Sequence, residues 1–199
     1  MPSPRLVLVL TGVPGVGKTT VSKRLADMIG GVHIDLSAFA EGEGLTVGWD
    51  ERRETAIVDM NAVRERLDRV LNSTSGPLVI EGHFAADVVP SGVASFIFVL
   101  RRAPWVLRDE LKARGYGVEK VWENVEAELL GVCLVEAMEA YGTERVCELD
   151  TTDLTETEAA EAILSMIDGR APCRRGTIDW LGRVESKWLL EGSRCPTSS

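Results

Sequence analysis

Five short apolar, largely β-branched runs recur along the chain, at Arg5 to Leu10, Val32 to Ile34, Leu78 to Glu81, Phe96 to Leu100 and Arg145 to Leu149. They hardly alternate with polar residues, which is the pattern of strands covered on both faces of a parallel sheet. Between them, apolar positions fall at helical spacing over Thr19 to Ile29, Asn61 to Leu71, Pro104 to Arg114, Val118 to Ala140 and Glu156 to Ile167. Strand and helix alternate, so the pattern predicts an open α/β sheet with right-handed crossovers. Thr155, ahead of Glu156 and Glu158, marks one helix start, and Pro104 suits the first turn of another. The stretch Glu41 to Val58, with Gly42, Gly44 and Gly48, has no period and reads as a long, mobile connection of the functional kind. After Gly169 the pattern changes. Ile178-Asp179-Trp180-Leu181 and Trp188-Leu189-Leu190 predict a tail that packs back on the body, and Pro196 to Ser199 an end that frays.

Composition adds bounds to this picture. A chain of 199 residues, 45% apolar and 27% charged, suits one globular domain with a proper core. No apolar stretch approaches the roughly 18 to 20 residues of a membrane span, and Leu6 to Leu10 is too short for a signal sequence, so the expectation is a cytoplasmic protein. Cys133, Cys147, Cys173 and Cys195 form no C-x-x-C pair and read as reduced thiols, not as a zinc site or a disulfide framework. The formal charge of −9 argues against general nucleic-acid binding, which needs many Lys and Arg contacts to phosphate. The charge is unevenly spread: twelve of the 31 acids lie between residues 126 and 169, whereas residues 1 to 34 and 101 to 125 are net positive.

Chemistry enters at the first strand's end. Gly12-Val13-Pro14-Gly15-Val16-Gly17-Lys18-Thr19 matches G-x-x-x-x-G-K-S/T and lies between a predicted strand and a predicted helix. The glycines let backbone N–H groups turn toward phosphate oxygens, the helix start adds its positive dipole end, and Lys18 can reach the β and γ phosphates. The Thr19 hydroxyl can sit on Mg²⁺. A second oxygen ligand is expected at a neighbouring strand end, and Leu78-Val79-Ile80-Glu81 supplies a carboxylate that can hold the metal through water. A glutamate merely exposed at a strand end is the alternative. His83 can orient water, touch a phosphate or make only a local hydrogen bond.

Arg101, Arg102, Arg108, Lys112 and Arg114 cluster within fourteen residues. Phosphoryl transfer needs positive groups around the moving group and a lid that excludes water, so a small-molecule kinase is the expectation. Arg114 is the strongest candidate, because Arg114-Gly115-Tyr116-Gly117 is a turn that can move. The rest of the cluster includes a solvated helix face. The guanine-reading Asn-Lys-x-Asp is missing from the sequence, which argues against a GTPase.

Gly12 to Thr20, Gly48-Trp49-Asp50-Glu51, Val79-Ile80-Glu81-Gly82-His83, Ala113-Arg114-Gly115-Tyr116 and Glu123 to Glu128 occur in the order found in the adenylate kinase isoenzyme 6 family. The chain resembles that family over residues 5 to 182, and Ile178-Asp179-Trp180-Leu181 resembles the ending of its archaeal members. The resemblance implies a three-layer P-loop fold of the nucleoside monophosphate kinase type with a five-stranded parallel sheet. It implies one kinase domain over 1–182, with a monophosphate-binding region at 35–58 and a lid at 113–123, followed by a tail at 183–199. The implied reaction is ATP plus AMP, or another nucleoside monophosphate, with Mg²⁺, accompanied by side ATPase activity. By motif, Gly15, Gly17, Lys18, Thr19, Thr20 and Arg114 would bind ATP, and Lys18, Glu81, His83 and Arg114 would serve catalysis. The family is also linked to small ribosomal subunit maturation, so the alternative is an assembly-factor ATPase acting on a ribosomal protein. One departure stands out: Ser37-Ala38-Phe39-Ala40-Glu41 lacks the arginine that commonly clamps the acceptor phosphate, so either Arg52 or Arg53 takes that role or the acceptor is held less tightly.

Overall fold

β1 is Val7–Thr11, five buried residues in a row, and the chain turns through residues 12–17 into α1, Lys18–Ile29. In the computed structural model, which describes residues 5–51, 55–184 and 188, there follow β2 (Val32–Asp35), α2 (Leu36–Gly42), β3 (Thr46–Asp50), β4 (Thr55–Val58) and α3 (Met60–Ser73). Then come β5 (Leu78–Glu81), α4 (Ala85–Val88), β6 (Phe96–Arg101), α5 (Pro104–Ala113), α6 (Val118–Leu130), α7 (Val132–Tyr141), β7 (Val146–Asp150) and α8 (Glu156–Ile167). The main sheet has five parallel strands in the order β2-β5-β1-β6-β7, as the apolar runs predict.

Side-chain alternation divides each strand between two cores. Leu8 and Leu10 of β1 join Phe98 and Leu100 of β6 under α1, α5, α6 and α8. Val7 and Val9 join Ile97 and Val99 on the opposite face, under α2, α3, α4 and α7. Three layers result, and each fully buried Leu or Ile contributes about 1.5–3 kcal/mol relative to exposure.

Three expectations are corrected. Glu41 to Val58 is not an unstructured connection: β3 and β4 pair antiparallel, with Trp49 opposite Ala56. Val118 to Ala140 is not one helix. Gly131, at φ 66°, ends α6 in the left-handed region that favours glycine, and α7 restarts beyond it. The break carries the chain across the sheet, since Val121, Val125 and Leu129 pack on one face and Leu134, Ala137 and Tyr141 on the other. Cys147 and Cys173 are not reduced thiols but a disulfide. Their 26-residue separation hides a close approach, because the chain after α8 returns along β7, where the Glu148 N–H donates to Arg174 O at 2.7 Å. Among the described residues no helix is long and apolar enough to cross a membrane.

Candidate functional site

Strand register gathers the site at one edge of the sheet. Asp35, Glu81 and Leu10 are aligned partners across β2, β5 and β1, so their carboxyl ends open on the loop that follows β1. Ligands of open α/β sheets sit in this place. The loop itself requires glycine: Gly12, Gly15 and Gly17 have φ of 141°, 99° and 93°. A Cβ on Gly12 would lie 2.5 Å from Leu100 O. The Thr151 hydroxyl, just past β7, donates to Val16 O at 3.0 Å and ties the loop to the sheet. Gly17 caps α1 without a side-chain hydrogen bond, which leaves the first-turn N–H groups and the helix dipole facing an anion site.

Lys18 is 9% exposed and donates from Nζ to Gly12 O at 2.9 Å and Val13 O at 3.1 Å. Burial pushes its pKa down, against the attraction of Glu81. Thr19 Oγ1 donates to Glu81 Oε1 at 2.7 Å, so the strand-end glutamate is not simply exposed. Glu81 is 3% exposed, with His33 Nε2 at 3.8 Å. Burial works to raise the Glu81 pKa, but the nearby His33 imidazole, the Thr19 hydrogen bond and the charge of Lys18 hold it below the ordinary value. The hydroxyl and carboxylate are hard oxygen donors of the kind Mg²⁺ takes alongside water and phosphate, so the pair fits that ion. Thr20 Oγ1 donates to Gly17 O at 2.9 Å.

These groups line a cleft of about 860 Å³. All eight candidates, Gly15, Gly17, Lys18, Thr19, Thr20, Glu81, His83 and Arg114, contribute to its wall. His83 is exposed on the cleft wall, and its ring meets that of Phe84 edge-to-face with centroids 5.0 Å apart. Protein crowding around the ring, then the Lys18 charge, lower its pKa, which favours neutral imidazole at pH 7.

Of the five basic residues at 101–114, only Arg114 lines the cleft. Arg101 is 3% exposed and bonds Glu128 and Glu148. Arg102 reaches Thr151 O and Glu110, and Arg108 lies over Trp188. The same contacts shrink the acidic flank, because Glu128 and Glu148 face inward. Arg52 and Arg53 lie outside the described residues. Sequence reasoning missed Asn124 and Ala127 of α6 and Cys133 of α7 as cleft residues, while Ser37 of α2 falls within the expected 35–58 region. A signal existed for α6, whose Lys120, Glu123, Asn124 and Ala127 fall on one helical face.

Comparison with known proteins follows the same lines. Residues 8–131 match the family model described as "AAA domain". Two curated relatives carry the name "Putative adenylate kinase". The protein of Saccharolobus islandicus (strain Y.G.57.14) is 37% identical over 186 residues, covering 94% of this chain and 93% of its own. That of Thermococcus kodakarensis is 39% identical over 176 residues, covering 88% and 93%. The shikimate kinase of Acinetobacter baumannii, solved with shikimate, has a similar fold at TM-score 0.57 and 20% identity, covering 84% of this chain and 96% of that one.

Proposed function

This chain belongs to the family of the archaeal proteins named "Putative adenylate kinase", and from that premise we propose that it is an ATP-dependent phosphotransferase making ADP from ATP and AMP. The observation that carries the reading is the glycine cradle with Lys18 and the Thr19–Glu81 pair on one cleft wall and Arg114 on the same cleft. Other nucleoside monophosphates are candidate acceptors, with residues 35–58 as the acceptor region, 113–123 as the lid and 183–199 as the tail. The protein is read as cytoplasmic.

Catalysis in this reading is positional and electrostatic, with no covalent intermediate. The backbone N–H groups of residues 15–19 and the start of α1 hold the β and γ phosphates of ATP. Lys18 leaves the Gly12 and Val13 carbonyls for the transferred phosphoryl, whose charge it neutralises. The Thr19 hydroxyl and, through water, the Glu81 carboxylate would hold Mg²⁺, which would supply neutralisation of the phosphate charge. Arg114 closes on the triphosphate from the lid turn and excludes water, while neutral His83 orients the acceptor side. Arg52 or Arg53 is assigned to the acceptor phosphate.

Initial rates with Mg-ATP and AMP, CMP, GMP, UMP and their deoxy forms test this. ADP should form fastest with one of them, and Lys18→Ala should lower kcat by about 10²–10³-fold. No ADP from any acceptor, with Lys18→Ala indistinguishable from the parent, would overturn it. An acceptor-independent ATPase rate above every transfer rate would favour the assembly-factor reading. For that reading the exposed acids Glu136, Glu139 and Glu144 are the surface for a basic ribosomal protein, and reversing their charge should abolish capture of it.

A further inference from the structure

α6 has two working faces. Asn124 and Ala127 look into the cleft with Lys120, while Val121, Val125 and Glu128 point into the body. Glu128 is an unusual member of that inner face: at 2% exposure it gathers three donors on Oε1. They are Arg101 Nε at 2.7 Å, Trp180 Nε1 at 2.8 Å and the Arg102 N–H at 3.2 Å. Arg101 Nη2 also donates to the Glu128 carbonyl at 2.7 Å, next to the end of α6. The network continues to the returning chain. Arg101 Nη1 bonds Glu148 Oε1 at 2.6 Å, and Glu148 Oε2 accepts from the Thr177 N–H at 3.0 Å. The Cys147–Cys173 bond closes the same stretch onto β7.

Trp180, 1% exposed, meets Trp105 of α5 edge-on at 5.8 Å. Trp188 meets Trp122 of α6 at 5.4 Å, with Arg108 of α5 over its ring. The two helices that flank the 114–117 turn are therefore both gripped by residues that follow α8. A buried carboxylate on the inner face of α6 fixes the helix in rotation more strictly than apolar packing does, because turning it would strand the charge.

We propose that segment 173–180 is a strap that positions the lid. Trp180 and Glu128 are its positioning residues, and the Cys147–Cys173 disulfide is its anchor to the sheet. The strap sets the rotation of α6, and with it the cleft face that carries Asn124 and Ala127 and the seat of the Arg114 turn. The proposal rests on the reading of this cleft as a nucleotide site only for its effect on ATP. Opening the anchor is a two-electron step: a dithiol reductant gives two electrons and two protons, the S–S bond becomes two thiols, and the reductant becomes a disulfide. The segment then loses its covalent tie to β7 and keeps its hydrogen bonds to Glu148 and Glu128 and the packing of Trp180 on Trp105.

Hydrogen exchange on the full chain tests the strap without nucleotide, and a fluorescent ATP analogue tests its effect on the cleft. Trp180→Phe keeps the ring packing and removes one hydrogen bond to a charged acceptor. In that variant, and in the parent reduced with dithiothreitol, amides of residues 114–130 should exchange about tenfold faster while those of α1 keep their rates. Affinity for the analogue should fall about threefold or more. Cys173→Ala should match the reduced parent and ignore dithiothreitol. Unchanged exchange at 114–130 would overturn the proposal, and so would an equal rise throughout the chain. Faster lid exchange with unchanged analogue affinity would overturn its link to the cleft. If Trp180→Phe does not fold, the reduced parent carries the test. Failure of all nucleotide binding with the exchange pattern intact would instead overturn the proposed function.

Discussion

Cys133 lines the cleft, and its thiol is pushed up to about 11, first by burial and then by Glu136. At pH 8 only about one molecule in a thousand then carries the thiolate that reacts with electrophiles. Iodoacetamide at pH 8 should therefore alkylate Cys133 about a hundredfold more slowly in the native protein than in the unfolded chain. Equal rates would show that the pocket does not shield it. At this scale much of the candidate site was legible, since Lys18 and Thr19 follow from the glycine spacing and Glu81 from its strand end. The Thr19–Glu81 bond was not, because it joins residues 62 apart and depends on β1 and β5 being neighbours. The turn at 114–117 pointed to Arg114, but sequence could not show that Arg101 is structural, since a guanidinium's role depends on the carboxylates the fold puts beside it.

Helix ends show the same division. Thr155 caps α8 as its spacing predicts: Glu158 N–H donates to Thr155 Oγ1 at 3.2 Å, and the Thr155 N–H donates back to Glu158 Oε2 at 2.9 Å. Hydrogen bonds from Thr155 hold the Glu158 carboxyl below its ordinary pKa. Its contribution is thus present above the unfolded value near 4.5 and fades as pH falls through the lower folded one. Glu158→Gln should lower Tm at pH 7, and the gap to the parent should close on acidification to about pH 3. A gap of constant size would count against this capping account. Asp35 and Asp59 cap α2 and α3 in a similar way. The break at Gly131 was harder to read, because a lone glycine inside a helical pattern is tolerated at about 1 kcal/mol.

Across the molecule, the order of strands and helices was plain from periodicity, because β1, β5, β6 and β7 are almost wholly buried and each crossover of the main sheet contains a helix. What composition could not show is which charges cancel internally. Arg101, Glu128 and Glu148 form a buried charged group that spans β6, α6 and β7. Burial pushes the Glu128 pKa up, and Arg101 pulls it back. Arg101→Met leaves both carboxylates without their cation and should cost about 3–5 kcal/mol in denaturant unfolding. Replacing all three by apolar residues should recover much of that loss, since the penalty lies in stranded charge. A triple variant no more stable than Arg101→Met would instead assign the loss to packing.

The bond from the Glu148 N–H to Arg174 O has a consequence for how copies of the chain meet. β7 is the last strand of the sheet, and an outermost strand offers its free amides as a template on which another chain can add. The returning segment occupies one of those amides with its own backbone, and the disulfide keeps it there. The opposite margin, β2, is only four residues long, too short to recruit much. The returning chain therefore covers part of that edge, so the surface another copy would meet there is set by residues far from the cleft.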